Sequence, residues 1–158
     1  MISGTTTDYT GRQTDILILR GANVNTANAV QTTIEFGSPS SMCAGVQKLM
    51  QRYAISMLTI LGSQQNFASF GTTLMSSLQN AGGQTTSDLN HLFNYANLTV
   101  VTNFRNYQAN NPSNFPDEQL NTATLNSVDI SGNSVRLNIS IVSVAGTTVQ
   151  FLLPIPSQ

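Results

Sequence analysis

The sequence predicts an α+β domain: amphipathic helices packed on a C-terminal three-strand antiparallel meander, with an extended N-terminal segment. Three observations lead there. Two long stretches carry apolar residues at helical spacing, the apolar period switches from 3.6 to 2 after residue 120, and residues 1–36 show no helical period. The length of 158 residues suits one domain. No internal repeat or linker divides the chain, so the expected division is an arm over residues 1–14 and a single domain over 15–158.

Thr and Gly dominate the first 14 residues, which read as a mobile or docking arm. Asp15-Ile16-Leu17-Ile18-Leu19-Arg20 is a short apolar run ended by Gly21, compatible with a strand. An Asn-rich loop follows to Ala29, and Thr32 to Phe36 alternates as a second strand before Gly37-Ser38-Pro39. With Ser40 or Ser41 as N-cap, the residues Val46, Leu49, Met50, Tyr53, Met57, Ile60 and Leu61 fall on one face of a helix. Gly62 would end that helix at C′, where a positive φ is usual. Leu74, Met75 and Leu78 start a short helix that stops at Gly82-Gly83.

Ser87 then caps a second long helix, whose face is Leu89, Leu92, Phe93, Ala96, Val100, Phe104 and Tyr107. Asn110-Asn111-Pro112 ends it. Phe115 to Leu120 is a connector, with Pro116 opening one helical turn. Leu125, Val128 and Ile130 lead to a hairpin turn at Ser131-Gly132-Asn133-Ser134. Val135, Leu137, Ile139 and Ile141 alternate with Arg136, Asn138 and Ser140, and Ala145-Gly146-Thr147 turns the chain again. Val149, Phe151 and Leu153 close the meander, and Pro154 and Pro156 end it. The predicted core is Leu49, Tyr53, Met57, Phe93, Val100 and Phe104, where the long helices meet the sheet.

Charge is scarce. Six basic and seven acidic residues make 8% of the chain and a net charge of −1, while Ser, Thr, Asn and Gln supply 65 of the 158 residues. This argues against nucleic acid, since phosphate neutralisation needs clustered Lys and Arg, and a polybasic membrane patch is excluded for the same reason. No segment reaches the roughly 18 apolar residues of a spanning helix. The first residues lack the basic and apolar regions of a signal peptide. Cys43, the single cysteine, forbids an intramolecular disulfide and suits synthesis in a reducing cytosol as a buried, inert thiol.

No catalytic constellation stands out. His91 has no ligand-spaced neighbours for a metal. Asp117 and Glu118 are adjacent and cannot converge across a glycosidic bond, so helix N-terminal charge is their expected role. Nothing in the sequence marks a partner for Glu35, the remaining candidate acid, and Gly71 and Gly82-Gly83 lack the spacing of a phosphate loop. The residues therefore point to a non-enzymatic structural or interaction domain with no cofactor, metal or small-molecule substrate. A nearly uncharged polar surface fits coverage within an assembly.

The helix ending in Leu58-Thr59-Ile60-Leu61-Gly62-Ser63, followed by Phe67-Ala68-Ser69-Phe70-Gly71-Thr72-Thr73-Leu74, resembles the gene-twenty-five-like baseplate wedge proteins of contractile phage tails, related to type VI secretion baseplate subunits. In that family a helix ends in Leu-x-Thr-x-x-Gly-Glu. A loop with Phe or Tyr then precedes Gly-Ser-x-Leu, a second helix follows, and a C-terminal meander closes in apolar residues and proline. Leu58, Thr59, Gly62, Phe70, Gly71 and Leu74 match in kind, and Leu153-Pro154 falls in the right place. The resemblance spans roughly residues 41 to 155. Two departures stand out: Ser63 replaces the Glu, and Asn121-Thr122-Ala123-Thr124, where the family's Glu-Pro-Arg motif should precede the first meander strand, does not supply it.

The resemblance implies a structural wedge subunit in a virion tail baseplate, made in the host cytoplasm, with other wedge proteins and the tail sheath protein as partners. The alternative is another virion adaptor, such as a tail-terminator or head–tail connector protein. Tail lysozyme activity finds no support in the residues. The expected partner-binding residues are Gly62, Ser63, Phe70 and Gly71 in the loop, and Val149, Gln150, Phe151, Leu152 and Leu153 as a strand-addition edge. That terminal strand carries no Lys or Glu to guard it, so an open edge would invite a partner strand. Alternatively, Ile16 to Leu19 covers the same edge internally.

Overall fold

Among the described residues seven strands and three helices form an α+β fold, with the long helices and the C-terminal meander in the order the periodicity suggests. The computed structural model describes residues 14–16, 19–23, 30–34, 42–81, 85–131 and 134–155. The arm over 1–13, the Ser40/Ser41 cap, the Gly82-Gly83 stop, the Gly132-Asn133 turn and Pro156 lie outside them.

The first long period is helix α1, Gly45–Leu58, and it buries Leu49, Met50, Tyr53 and Met57. It starts later than expected because Met42–Cys43 is extended: as strand β4 it pairs antiparallel with β1, Asp15–Ile16. Ala44 makes no side-chain cap. The cap comes from far along the chain, where Glu118 Oε1 accepts the Gly45 N–H at 3.1 Å. The helix also ends early. The Thr59 amide and hydroxyl both donate to the Ile55 carbonyl, at 2.9 and 2.7 Å, and Thr59 turns extended. Ile60 and Leu61 consequently leave the helical face and stand 38% and 42% exposed. Gly62 does carry a positive φ of 79°, at the third position of the turn closed by Ser63 N–H to Ile60 C=O and not at a helix C′.

Helix α2 is Leu74–Ala81, and α3 is Thr86–Asn110. Thr85, not Ser87, caps α3: its hydroxyl accepts from the Asp88 amide at 3.1 Å and donates to the Asp88 carboxylate at 2.7 Å. Leu89, Phe93, Ala96, Val100 and Phe104 form its buried face. Pro116–Glu118 makes a single 3-10 turn, as the proline suggested.

The meander is β5 (Leu120–Ser131), β6 (Ser134–Ser143) and β7 (Thr148–Ile155), with both pairings antiparallel. β5 begins at Leu120, five residues before the first predicted apolar position. The residues just ahead of the first meander strand are therefore Pro116 to Gln119, and 121–124 lie within it. β7 runs through Pro154, paired with Arg136, to Ile155. Proline is tolerated there because, among the described residues, the β3 pairing described below covers Phe151 and Leu152 and leaves Pro154 with a neighbour on one side.

The N-terminal strands correct the strand-addition reading. β2 (Leu19–Asn23) and β3 (Val30–Ile34) form an antiparallel pair in which Gly21 sits opposite Thr32, so Gly21 continues the strand. Val30 and Gln31 then pair in parallel with Phe151 and Leu152, giving the sheet order β2-β3-β7-β6-β5. The edge read as open at Val149 to Leu153 is thus occupied at its centre. The cover comes from Val30 and Gln31, while Asp15–Ile16 joins a separate two-stranded ribbon with β4. Alternation alone identifies a strand but not its neighbours, since a backbone ladder makes few demands on side-chain identity.

Leu152 lies opposite Asn138 on one side and Gln31 on the other. Its N–H therefore enters a ladder whichever way it points. Leu152→Pro is expected to cost about 3 kcal/mol or more in urea unfolding. Full retention of stability would show that the β3 pairing is dispensable and reopen the edge.

Helices α1 and α3 cover one sheet face. Leu137, Ile139, Ile141, Phe151 and Leu153 point from the sheet into the same core as Leu49, Tyr53, Met57, Phe93, Val100 and Phe104. All six predicted core residues are buried. Tyr53 is the hub: its ring lies 6.4 Å from Phe104 and 6.3 Å, edge-on, from Phe151. Its hydroxyl donates to Asn97 Oδ1 at 2.6 Å, and Asn97 Nδ2 donates to the Ala123 carbonyl at 2.9 Å. This relay links α1, α3 and β5. Burial pushes the phenol's pKa up, so it stays a donor.

Candidate interaction surface

The loop from Thr59 to Thr73 is held by backbone bonds to its own start. The Thr72 N–H donates to the Thr59 carbonyl at 2.8 Å and the Leu61 N–H to the Thr72 carbonyl at 2.9 Å, forming a short parallel bridge. The Thr72 hydroxyl adds a 2.9 Å bond to the Met57 carbonyl at the end of α1 and accepts from the Leu74 amide at the start of α2. Gly71 makes this closure possible. Its φ is +100°, and a Cβ there would lie 2.5 Å from the Thr59 carbonyl oxygen. The span between is exposed, with Leu61 at 42% and Phe67 at 66%.

Beside this latch lies a pocket of about 200 Å³. Arg52, Ile55 and Ser56 present one turn of α1, while Val100, Asn103, Phe104 and Tyr107 present two turns of α3. Phe70 and Gly71 close the third side, and Asn103 Nδ2 fastens that side by donating to the Ser69 carbonyl at 3.2 Å. The Arg52 guanidinium stacks over Tyr107 at 4.6 Å and Phe104 at 5.6 Å from the ring centroids. Among the described residues no carboxylate lines the pocket.

The structure therefore divides the expected partner-binding residues. Gly62, Ser63, Phe70 and Gly71 come together in one loop, the first two exposed and the second two forming a pocket wall. Val149 to Leu153 lie elsewhere in the sheet, where Phe151 and Leu153 are fully buried and none lines the pocket. Arg52 and Tyr107 were missed. Their signal was the α3 stripe Val100, Phe104, Tyr107 continuing past the core, opposite a cation on the facing helix.

Glu118 has a more specific role than a charge at its own short turn. It is buried, its second oxygen 3.0 Å from Lys48 Nζ, and the helix whose N-terminus it serves is α1. Cys43 is also buried beside this pair. Burial first, and then the Asp15 carboxylate, raise its pKa to about 11; Lys48 opposes them, and Glu118 adds the least. Such a thiol is a poor nucleophile. Among the described residues no three of His, Cys, Asp and Glu converge as a metal site, and no helix is long and apolar enough to cross a membrane.

Among the described residues the sheet edges are β2 and β5. Two register shifts interrupt β5, between Leu120 and Thr122 and between Leu125 and Ser127. The α3 amides of Gln108 and Asn97 take the Leu120 and Ala123 carbonyls. The edge from Leu120 to Asn126 is thereby blunted, and Ser127–Ser131 is the regular stretch beyond both shifts. Comparison with family models, curated proteins and solved structures gives no match.

Proposed function

We propose that the chain is a non-catalytic structural subunit of a contractile-tail baseplate, a divergent wedge protein of the gene-twenty-five-like kind. The observation that supports this reading is the latch. Thr59, Gly62, Gly71 and Leu74, which carry the resemblance, each have a backbone or packing role in a single feature that joins α1 to α2 and displays an exposed loop. Other wedge proteins would dock on this loop end. The sheath contact moves from β7 to the distal end of β5, Ser127–Ser131, because Val30 and Gln31 occupy β7. Few charges are available to either contact, so packing and main-chain pairing would carry them.

Fractionation of the phage particles provides the test. The protein is expected in purified baseplates, and tails assembled without it are expected to lack attached sheath. Recovery at the head–tail junction would instead favour the adaptor alternative, and absence from the particle would end both readings.

A further inference from the structure

We infer that the pocket between α1, α3 and the Gly71 loop is a receptor for one aromatic side chain of a partner protein, carried next to a carboxylate that pairs with Arg52. The inference stands apart from the baseplate reading, since it rests on the pocket alone.

Size selects a side chain. A dry apolar cavity of roughly 150 Å³ is enough for benzene, whereas small-molecule sites usually run to roughly 300–1,000 Å³. At about 200 Å³ this pocket suits one ring. Its walls are preformed: Val100 and Phe104 are buried in the core, and Gly71 is locked by the latch. Rigid walls reduce the ordering that binding would otherwise require.

Charge selects the neighbour of that ring. Ser56 donates its hydroxyl to the Arg52 carbonyl and Asn103 its amide to the Ser69 carbonyl, so both are engaged within the chain. The Arg52 guanidinium has its two aromatic contacts but no carboxylate and no hydrogen-bond acceptor among the described residues. Stacking fixes the guanidinium plane while leaving its donors available for a carboxylate. In a chain with 8% charged residues, one unpaired cation on the wall of an apolar pocket is a specific complement to an acidic-aromatic segment.

The test titrates the full chain with N-acetyl-aspartyl-phenylalaninamide and, as the isosteric neutral control, N-acetyl-asparaginyl-phenylalaninamide. Amide shifts are read by heteronuclear NMR. Saturable shifts are expected at Ser56, Gly71 and Asn103, with the acidic peptide binding about tenfold tighter at low salt. Arg52→Gln should remove that preference, and Arg52→Lys, which keeps the charge, should retain part of it. Equal binding of the two peptides, a preference that survives Arg52→Gln, or no saturable shift at the pocket amides would each overturn the inference.

Discussion

Gly71→Ala is expected to destabilise the protein by on the order of 3–5 kcal/mol, read as a shift in the urea midpoint at constant slope. Two effects add. A φ of +100° strains any L side chain, and the new Cβ would stand 2.5 Å from the Thr59 oxygen, 3.0 Å from the Thr59 carbonyl carbon and 3.1 Å from that of Ile60. All three are backbone atoms, so no side chain can swing away. Relief requires moving Thr59 or Thr72, which breaks the 2.8 and 2.9 Å bonds of the latch and the Thr72 hydroxyl bond to Met57. Gly62→Ala is the matched control. Its φ is +79°, yet nothing lies within 4 Å of the added carbon, so strain alone remains, roughly 1–2 kcal/mol. Equal effects at the two glycines would mean that the close approach at Gly71 contributes nothing.

The second large effect is expected at Glu118. Glu118→Gln keeps an acceptor for the Gly45 amide but removes the charge facing Lys48, 3.0 Å away with both side chains buried. Breaking a buried pair from one side typically costs about 3–5 kcal/mol, because the surviving charge loses the carboxylate it faces in a buried setting. The double variant Lys48→Met with Glu118→Gln should recover most of that loss. The paired loss also bears on assembly of the fold, since Glu118 ties the turn before β5 to the start of α1. A change below about 0.5 kcal/mol in the single variant, measured by the same unfolding assay, would show that Lys48 reaches water or another anion.

Helices α1 and α3 and the strands β6 and β7 were legible because their periods are uninterrupted. Leu49-Met50-Tyr53-Met57 and Leu89-Phe93-Ala96-Val100-Phe104 keep helical spacing, and Leu137-Ile139-Ile141 keeps a period of two. β5 was half hidden for a definite reason. Its core-facing residues Leu120, Ala123, Leu125 and Val128 are spaced by three, two and three, since each register shift inserts an extra residue and breaks the alternation. The late start of α1 was invisible because its cap is supplied by a residue more than seventy positions away. The loop half of the candidate surface was legible in its Gly and Thr punctuation. The pocket was not, because Arg52 and Tyr107 acquire a joint meaning only once the two helices lie side by side.

The parallel pairing of Val30 and Gln31 with Phe151 and Leu152 also sets a timetable for folding. Helices and hairpins close over short stretches of chain, whereas this ladder joins the N-terminal quarter to the last strand and must wait for a very long loop to close. On the ribosome, the β2–β3 hairpin emerges first and has no place in the sheet until β7 has been made and has paired with β6. The docking of that hairpin is therefore a late step. Between the two events β7 offers the nascent chain its most exposed main-chain edge, and the molecule's own N-terminal hairpin, tethered at high effective concentration, competes there against every foreign strand.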